Sequence, residues 1–153
     1  MPVKKIGKTG SPPFLHLGNS YGFSGDLGEV KTGTTYRKDM IDTIKNNLSI
    51  WMANRDFEQI RGEQFDLAIV VKLSPQRLKT QDVDNIAKVI CDALKQQKGD
   101  ERFLFDNDCQ IIRMLVWKIQ RREDPLWHTD SYDISFRTYD GNKQMNLVED
   151  KRI

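Results

Sequence analysis

Between Thr35 and Arg55 the apolar residues Ile41, Ile44, Leu48, Trp51 and Met52 return at helical spacing, while Lys38, Asp42, Lys45, Asn46 and Asn47 fall mostly on other faces. The spacing predicts an amphipathic helix with Thr34 or Thr35 as its N-cap. Phe65, Leu67, Ile69, Val71 and Leu73 then alternate strictly, which predicts a strand. Ala68 and Val70 imply that its second face is covered as well, and Ser74-Pro75 ends it. A second helix is expected from about Asp82 to Gln97, with Val83, Ile86, Ala87, Ile90, Ala93 and Leu94 as its core stripe. Asp84, Lys88, Asp92 and Lys95 fall on the opposite side. Phe103-Leu104-Phe105 reads as a short extended piece, Ile111 to Lys118 as a strand, and Tyr132, Ile134, Phe136 and Thr138 as a further alternating strand at a sheet edge.

The segment before Thr35 behaves differently. Residues 1–33 hold seven of the ten glycines and three of the five prolines, so only short strands or a hairpin are expected there, built from Phe14, Leu15, Leu17, Tyr21 and Phe23. Gly7-Lys8-Thr9 does not make a phosphate-binding loop, because Pro2 stands where the first glycine is required and no strand precedes it. From about Gly141 the chain reads as a polar, mobile tail. The expected architecture is an α+β single domain with a small mixed β-sheet and two main helices. It comprises a domain over 1–140, with the glycine-rich segment 1–33 at its start, and a C-terminal tail over 141–153.

Composition narrows the function only a little. At 153 residues the chain is long enough for one substantial core, and 30% charged residues against 38% hydrophobic ones is a globular balance. A net charge of +2 does not by itself indicate nucleic acid. Basic residues do bunch locally, at Lys4, Lys5 and Lys8, at Arg77 and Lys79, and at Lys118, Arg121 and Arg122. Arg77 and Lys79 precede the acidic cluster described next, where a phosphate backbone would pass. Cys91, Cys109, His16 and His128 have no zinc-ligand spacing. The opening Met-Pro-Val-Lys-Lys has no apolar leader region and no run approaches the length of a membrane span, so a cytoplasmic location with free thiols is expected.

The chemistry concentrates in two acidic clusters. Asp82-Val83-Asp84-Asn85-Ile86-Ala87-Lys88 opens the second helix, and Asp106-Asn107-Asp108-Cys109-Gln110 precedes a strand. A sixteen-residue helix is about 24 Å long, and the connection from Lys98 to Asp108 reaches about 33 Å when extended. The chain can therefore return Asp108 to the start of the helix. If it does, Asp82, Asp84 and Asp108 offer hard oxygens to a Mg²⁺ ion that would activate water for attack on a phosphodiester. Lys88 would stabilise the negative charge of the transition state, and Gln110 and Asn85 would orient groups around it. The plainer alternative is that Asp82 and Asp84 cap a helix, Asp84 and Lys88 form a surface pair, and Asp106-Asn107-Asp108 is a turn.

The linked elements Asp82-x-Asp84-Asn85-x-x-Lys88, Asp92-Ala93-Leu94 and Asp108-Cys109-Gln110-Ile111 together resemble the signature of the RusA-type Holliday junction resolvases (D-x-D-N-x-x-K, D-A-L, then D-D-x-Q-I). The resemblance implies a Mg²⁺-dependent endodeoxyribonuclease, with Mn²⁺ as a substitute. It implies a homodimer that nicks four-way DNA junctions in a symmetric pair and acts in DNA recombination and repair, and a phage origin. The family's catalytic aspartates fall on Asp82, Asp84 and Asp108, which are also its metal ligands, and its lysine on Lys88. Three features depart from the pattern. Asn107 replaces the first aspartate of the D-D pair, the connection from Leu94 to Asp108 is longer than usual, and no basic N-terminal strand is evident. Two other functions compete with the nuclease: a junction-binding module that has lost cleavage, and a plain structural or interaction domain. Trp51, Trp117 and Trp127 would serve as base-stacking platforms in a DNA-binding reading. The positions of Trp51 and Trp117 in predicted elements favour core or dimer interface, and His128 is expected at the surface.

Overall fold

The structure, a computed structural model, describes residues 11–27, 33–55, 57, 59–95, 102–121 and 129–152. The element order is β1 (Ser11–Leu17), β2 (Tyr21–Asp26), α1 (Gly33–Arg55), β3 (Phe65–Leu73), α2 (Pro75–Thr80), α3 (Val83–Leu94), β4 (Ile111–Gln120), β5 (Ser131–Thr138) and β6 (Leu147–Arg152). A single 3₁₀ turn over Asp108–Gln110 leads into β4. This is the mixed α+β content expected, in one small domain. No helix among the described residues is long and apolar enough to cross a membrane.

Four strands form the main sheet in the order β2-β5-β3-β4. β3 and β4 run parallel, whereas β5 is antiparallel to both β2 and β3. α1 and α3 pack on one face of this sheet. Met40, Ile44, Leu48 and Met52 from α1 and Ile86, Val89, Ile90 and Ala93 from α3 bury against Phe65, Leu67, Ile69, Val71 and Leu73 of β3. Trp51 belongs to this layer, its ring 5.5 Å from that of Phe23 and 5.7 Å from that of Phe136. It is a core residue, not a base platform.

Two expectations about the sheet need correction. β1 and β2 do not pair as a hairpin; β2 joins β5, while β1 pairs antiparallel with β6. β5 is therefore interior instead of at an edge. Its second face lies under β1, where Asp133 Oδ2 accepts from Leu15 N at 3.0 Å and Ser135 Oγ accepts from Leu17 N at 3.0 Å. Both of these polar side chains are buried on that face. Asp133 also meets Lys72 Nζ of β3 at 2.6 Å.

The C-terminal segment, expected as a mobile tail, carries β6 and returns along β1. Its polar residues are fixed by specific bonds: His16 Nε2 lies 2.7 Å from Asp150 Oδ2, and Arg137 Nη2 donates to Gln144 O at 2.6 Å. α2 was not expected either. Ser74 accepts from Arg77 N at 3.3 Å and Pro75 occupies the first turn, so the Ser-Pro pair that ends β3 also starts a short helix.

Candidate functional site

α3 sets the geometry of the site, because each acidic cluster sits at a different end of it. Asp82 is its N-cap residue, yet its carboxylate makes no capping hydrogen bond. Asp84 follows in the first turn, where the exposed backbone donors favour a negative charge. Asp82, Asp84, Asn85 and Lys88 are all exposed. Among the described residues no ion pair joins Asp84 to Lys88, so apart from the helix dipole neither a capping bond nor an i,i+4 pair holds these side chains.

The helix ends at Leu94, and the chain closes on that end rather than travelling back. Leu104 N donates to Leu94 O at 2.8 Å, and Phe105 bridges to both Lys95 and Ile60. This placement leaves Asp108 beside the C-terminal half of α3. Its Oδ2 accepts from Lys95 Nζ at 3.1 Å, and Lys95 Nζ also lies 4.0 Å from Asp92, which pairs in turn with Arg37 of α1. A groove of about 500 Å³ runs between α3 and β4, lined by Lys88, Cys91, Asp92, Lys95, Asp108 and Met114 among others. Asp108 shares this groove with Ala87 and Lys88, whereas Asp82 and Asp84 are not among the residues that line it. Among the described residues no group of three or more acidic, histidine or cysteine side chains is arranged to hold a metal. The structure thus joins Lys88 and Asp108 on one groove and leaves Asp82 and Asp84 outside its lining.

Asn107 and Gln110 have definite structural roles. Asn107 Oδ1 accepts from Cys109 N at 2.9 Å, while Gln110 Oε1 accepts from Asp106 N at 2.9 Å and Asn107 N at 3.0 Å. Gln110 Nε2 donates to Ile60 O and Glu63 O, tying the turn to the segment before β3. Gln110 is buried as a staple and does not orient groups around Asp82 or Asp84. An aspartate at position 107 would cap the turn as Asn107 does, so the departure from the family pattern keeps the local fold. Asn107→Ala is expected to cost about 1 kcal/mol in denaturant unfolding, whereas Asn107→Asp should leave stability nearly unchanged.

Among the described residues, three of the four members of the basic bunches are used internally. Arg77 is buried and its Nη1 donates to Asp130 Oδ2 at 3.2 Å; Arg121 Nε lies 3.1 Å from Asp130 Oδ1. Lys118 Nζ donates to Leu78 O and Gln81 O at 2.7 and 2.6 Å, fastening the end of β4 to the turn before α3. Of the described members of these groups, Lys79 alone is exposed. The expected phosphate track through Arg77 is therefore replaced by a buried charge network that holds α2 in place. Lys4, Lys5, Lys8, Arg122, Trp127 and His128 lie outside the described residues.

The two thiols differ in kind. Burial pushes the Cys91 thiol up to about 11, and the negative charges of Asp108 and Asp92 add to the shift, whereas Cys109 is exposed. A raised thiol pKa leaves Cys91 protonated near neutrality. Alkylation at pH 7.5 should therefore modify Cys109 first, with Cys91 on the order of 100-fold slower by mass spectrometry.

The sequence model of the family described as endodeoxyribonuclease RusA matches residues 29–126. The chain belongs to the RusA family. Membership supports a nuclease of Holliday junction resolvase type, and the match contains α1, β3, α3, both acidic clusters and β4. β2 and β5 of the main sheet and the β1–β6 pair lie outside it. No curated protein matches the sequence. What sequence reasoning missed in this RusA chain was Lys95. Its position four residues after Cys91 was visible, but its bond to Asp108 depends on where the 96–107 connection returns.

Proposed function

We propose that this RusA-family chain is a Mg²⁺-dependent endodeoxyribonuclease that cuts four-way DNA junctions, with Asp82, Asp84 and Asp108 as metal-binding and catalytic carboxylates and Lys88 as the catalytic cation. The observation that carries the reading is the state of Asp82, Asp84 and Lys88. Within the family match, they are three exposed charged side chains on the first turns of one helix with no hydrogen-bond or ion-pair partner among the described residues. Charges kept in solvent without a partner are ready for a ligand or a substrate. Hard oxygen donors without histidine or thiolate suit Mg²⁺ or Mn²⁺. When bound, such an ion supplies an activated water and neutralises phosphoryl charge. The donor chemistry fits the ion, but a single chain does not gather the three carboxylates.

The test is cleavage of a synthetic four-way junction by the purified protein with Mg²⁺, with Mn²⁺ and with chelator. Metal-dependent, paired incisions in opposing strands support the reading, and chelator should abolish them. Junction binding that weakens steeply with salt but gives no incision under either metal would favour the module that has lost cleavage, with Asn107 among its candidate causes. A protein that neither binds nor cuts junctions would leave a structural domain.

A further inference from the structure

Three aromatic rings meet at the end of the sheet where β3 begins. Tyr21 opens β2 opposite Phe136 of β5, and its ring lies 6.0 Å from that of Phe136, stacked at 27°, and 5.1 Å from that of Phe57. Trp51 backs the group, its ring 5.1 Å from that of Phe57. These contacts fix Tyr21, yet it remains 60% exposed. A surface ring held in place this way is a ready stacking platform. With Phe57 and Phe136 it walls a cleft of about 210 Å³, lined also by Gln59, Glu63 and Gln64. Drug-sized ligands take about 300–1,000 Å³, so this cleft is sized for a single flat ring system.

The polar groups around the cleft decide what kind of ring it takes. The side chains of Gln59, Glu63 and Gln64 have no hydrogen-bond partner among the described residues. A nucleobase carries donors and acceptors along its edge that match such amides and a carboxylate. The phenyl ring of a protein side chain would use none of them. Arg61 and Arg102 stand exposed on the adjoining chain, and neither is in an ion pair among the described residues. Ile60 N donates to Leu104 O at 2.8 Å, so the stretches that carry the two arginines run side by side. Guanidinium groups next to an aromatic platform suit the phosphates that flank a stacked base.

The cleft lies beside the turn that carries Asp108. Gln110 of that turn donates to Ile60 O and Glu63 O, and both of those residues line the cleft. Two of its three rings, Tyr21 and Phe136, stand outside residues 29–126 that the family model matches. We propose that this cleft binds one unpaired nucleobase of a DNA strand, with Tyr21 as its stacking platform, at a site separate from the α3–β4 groove. The preference for a base stands on the cleft alone, whereas its use beside the groove rests on the proposed nuclease reading. A branched DNA with unpaired nucleotides next to the branch then gains a contact that a fully paired duplex lacks.

The test is an NMR titration of the ¹⁵N-labelled protein, in chelator, with a single-stranded deoxyadenosine tetranucleotide. Occupancy should shift the amides of Tyr21, Gln59 and Gln64 and the indole N–H of Trp51, which is buried without an acceptor among the described residues. A strand of equal length without bases should bind at least about 10-fold more weakly, and Tyr21→Ala should lose a similar factor. Tyr21→Phe keeps the ring and should bind as the wild type does. If Tyr21→Ala does not fold, Tyr21→Leu takes its place, since it keeps apolar cover without a flat face. Equal binding of the two strands, unchanged binding after loss of the ring, or shifts confined to the α3–β4 groove overturns the proposal. N-acetyltryptophanamide binding more tightly than the tetranucleotide also overturns it and assigns the cleft to a protein side chain. If the cleft fills as expected while no junction is cut under either metal, the nuclease reading falls and the base site stands. If junctions are cut while the two strands bind alike, the base site falls and the nuclease reading stands.

Discussion

Asp84→Asn is expected to reduce junction cleavage by at least about 100-fold, equivalent to some 2.7 kcal/mol of lost transition-state stabilisation, with the fold intact. The exchange is isosteric and removes one charge. Asp84 is exposed and has no salt bridge to Lys88, so little structure depends on that charge. Its structural worth is the helix-dipole contribution, under about 1 kcal/mol at an exposed first turn. A metal ligand behaves differently, since an amide oxygen binds a divalent ion far more weakly than a carboxylate. The measurement is single-turnover cleavage beside thermal unfolding of the same protein. Asp42→Asn is the matched control: Asp42 is an exposed helical carboxylate paired only with Lys38 at 2.9 Å, and its loss should leave both readouts unchanged. Wild-type cleavage by Asp84→Asn would remove Asp84 from the site.

The opposite pattern, a large stability loss at a residue far from the site, is expected at Asp66. This carboxylate on β3 is fully buried. Arg113 donates to both its oxygens, from Nε at 2.8 Å and from Nη2 at 2.7 Å, and Arg137 Nε donates to Oδ2 at 3.2 Å. The same guanidinium groups donate to Asp140 O, Lys143 O, Gln144 O and Gly18 O. One buried charge thus fixes β4, β5, the turn after β1 and the loop leading to β6. Asp66→Asn leaves two cations facing a neutral amide and should destabilise the protein by about 3–5 kcal/mol.

The pH dependence follows from the same contacts. Burial alone would raise the Asp66 carboxyl, but hydrogen bonds from Arg113 and Arg137 and their positive charges outweigh it and hold the group below its ordinary 3.8. A depressed folded pKa contributes stability that is fully present above the unfolded value and is lost as pH falls through the folded one. The gap between wild type and Asp66→Asn should therefore be constant from neutrality to about pH 5 and narrow below about pH 4. Urea unfolding at stepped pH reads this directly, and a gap that stayed constant into acid would show that the Asp66 charge does not supply the stability.

Much of the scaffold was legible in the sequence because burial there follows a simple period. Helical spacing located α1 and α3, and strict alternation located β3 and β5. The errors came where a polar residue was buried with a partner distant in sequence. Asp133 and Ser135 gave β5 the appearance of an edge, although they bond to Leu15 and Leu17 across 118 residues. Arg77 read as lying where a phosphate backbone would pass, and Lys118 as part of a basic bunch, yet their bonds to Asp130 and to the turn before α3 consume them. A polar side chain looks the same in sequence whether water or a buried partner satisfies it.

By itself, the sequence singled out the candidate residues for the chemistry. Asp82, Asp84, Lys88 and Asp108 stand in a linked pattern whose charges need no tertiary contact to be recognised, and the family match covers all four. Only the tertiary structure decided where those charges stand. The 96–107 connection is long enough to lead back to Asp82, but Leu104 bonds to Leu94 and Phe105 buries against Phe65 at the other end of α3. Burial of two aromatic rings and a backbone hydrogen bond outweighs the reach of an extended chain, which contributes nothing to stability. Asp108 consequently lies beside Lys95, in the groove between α3 and β4.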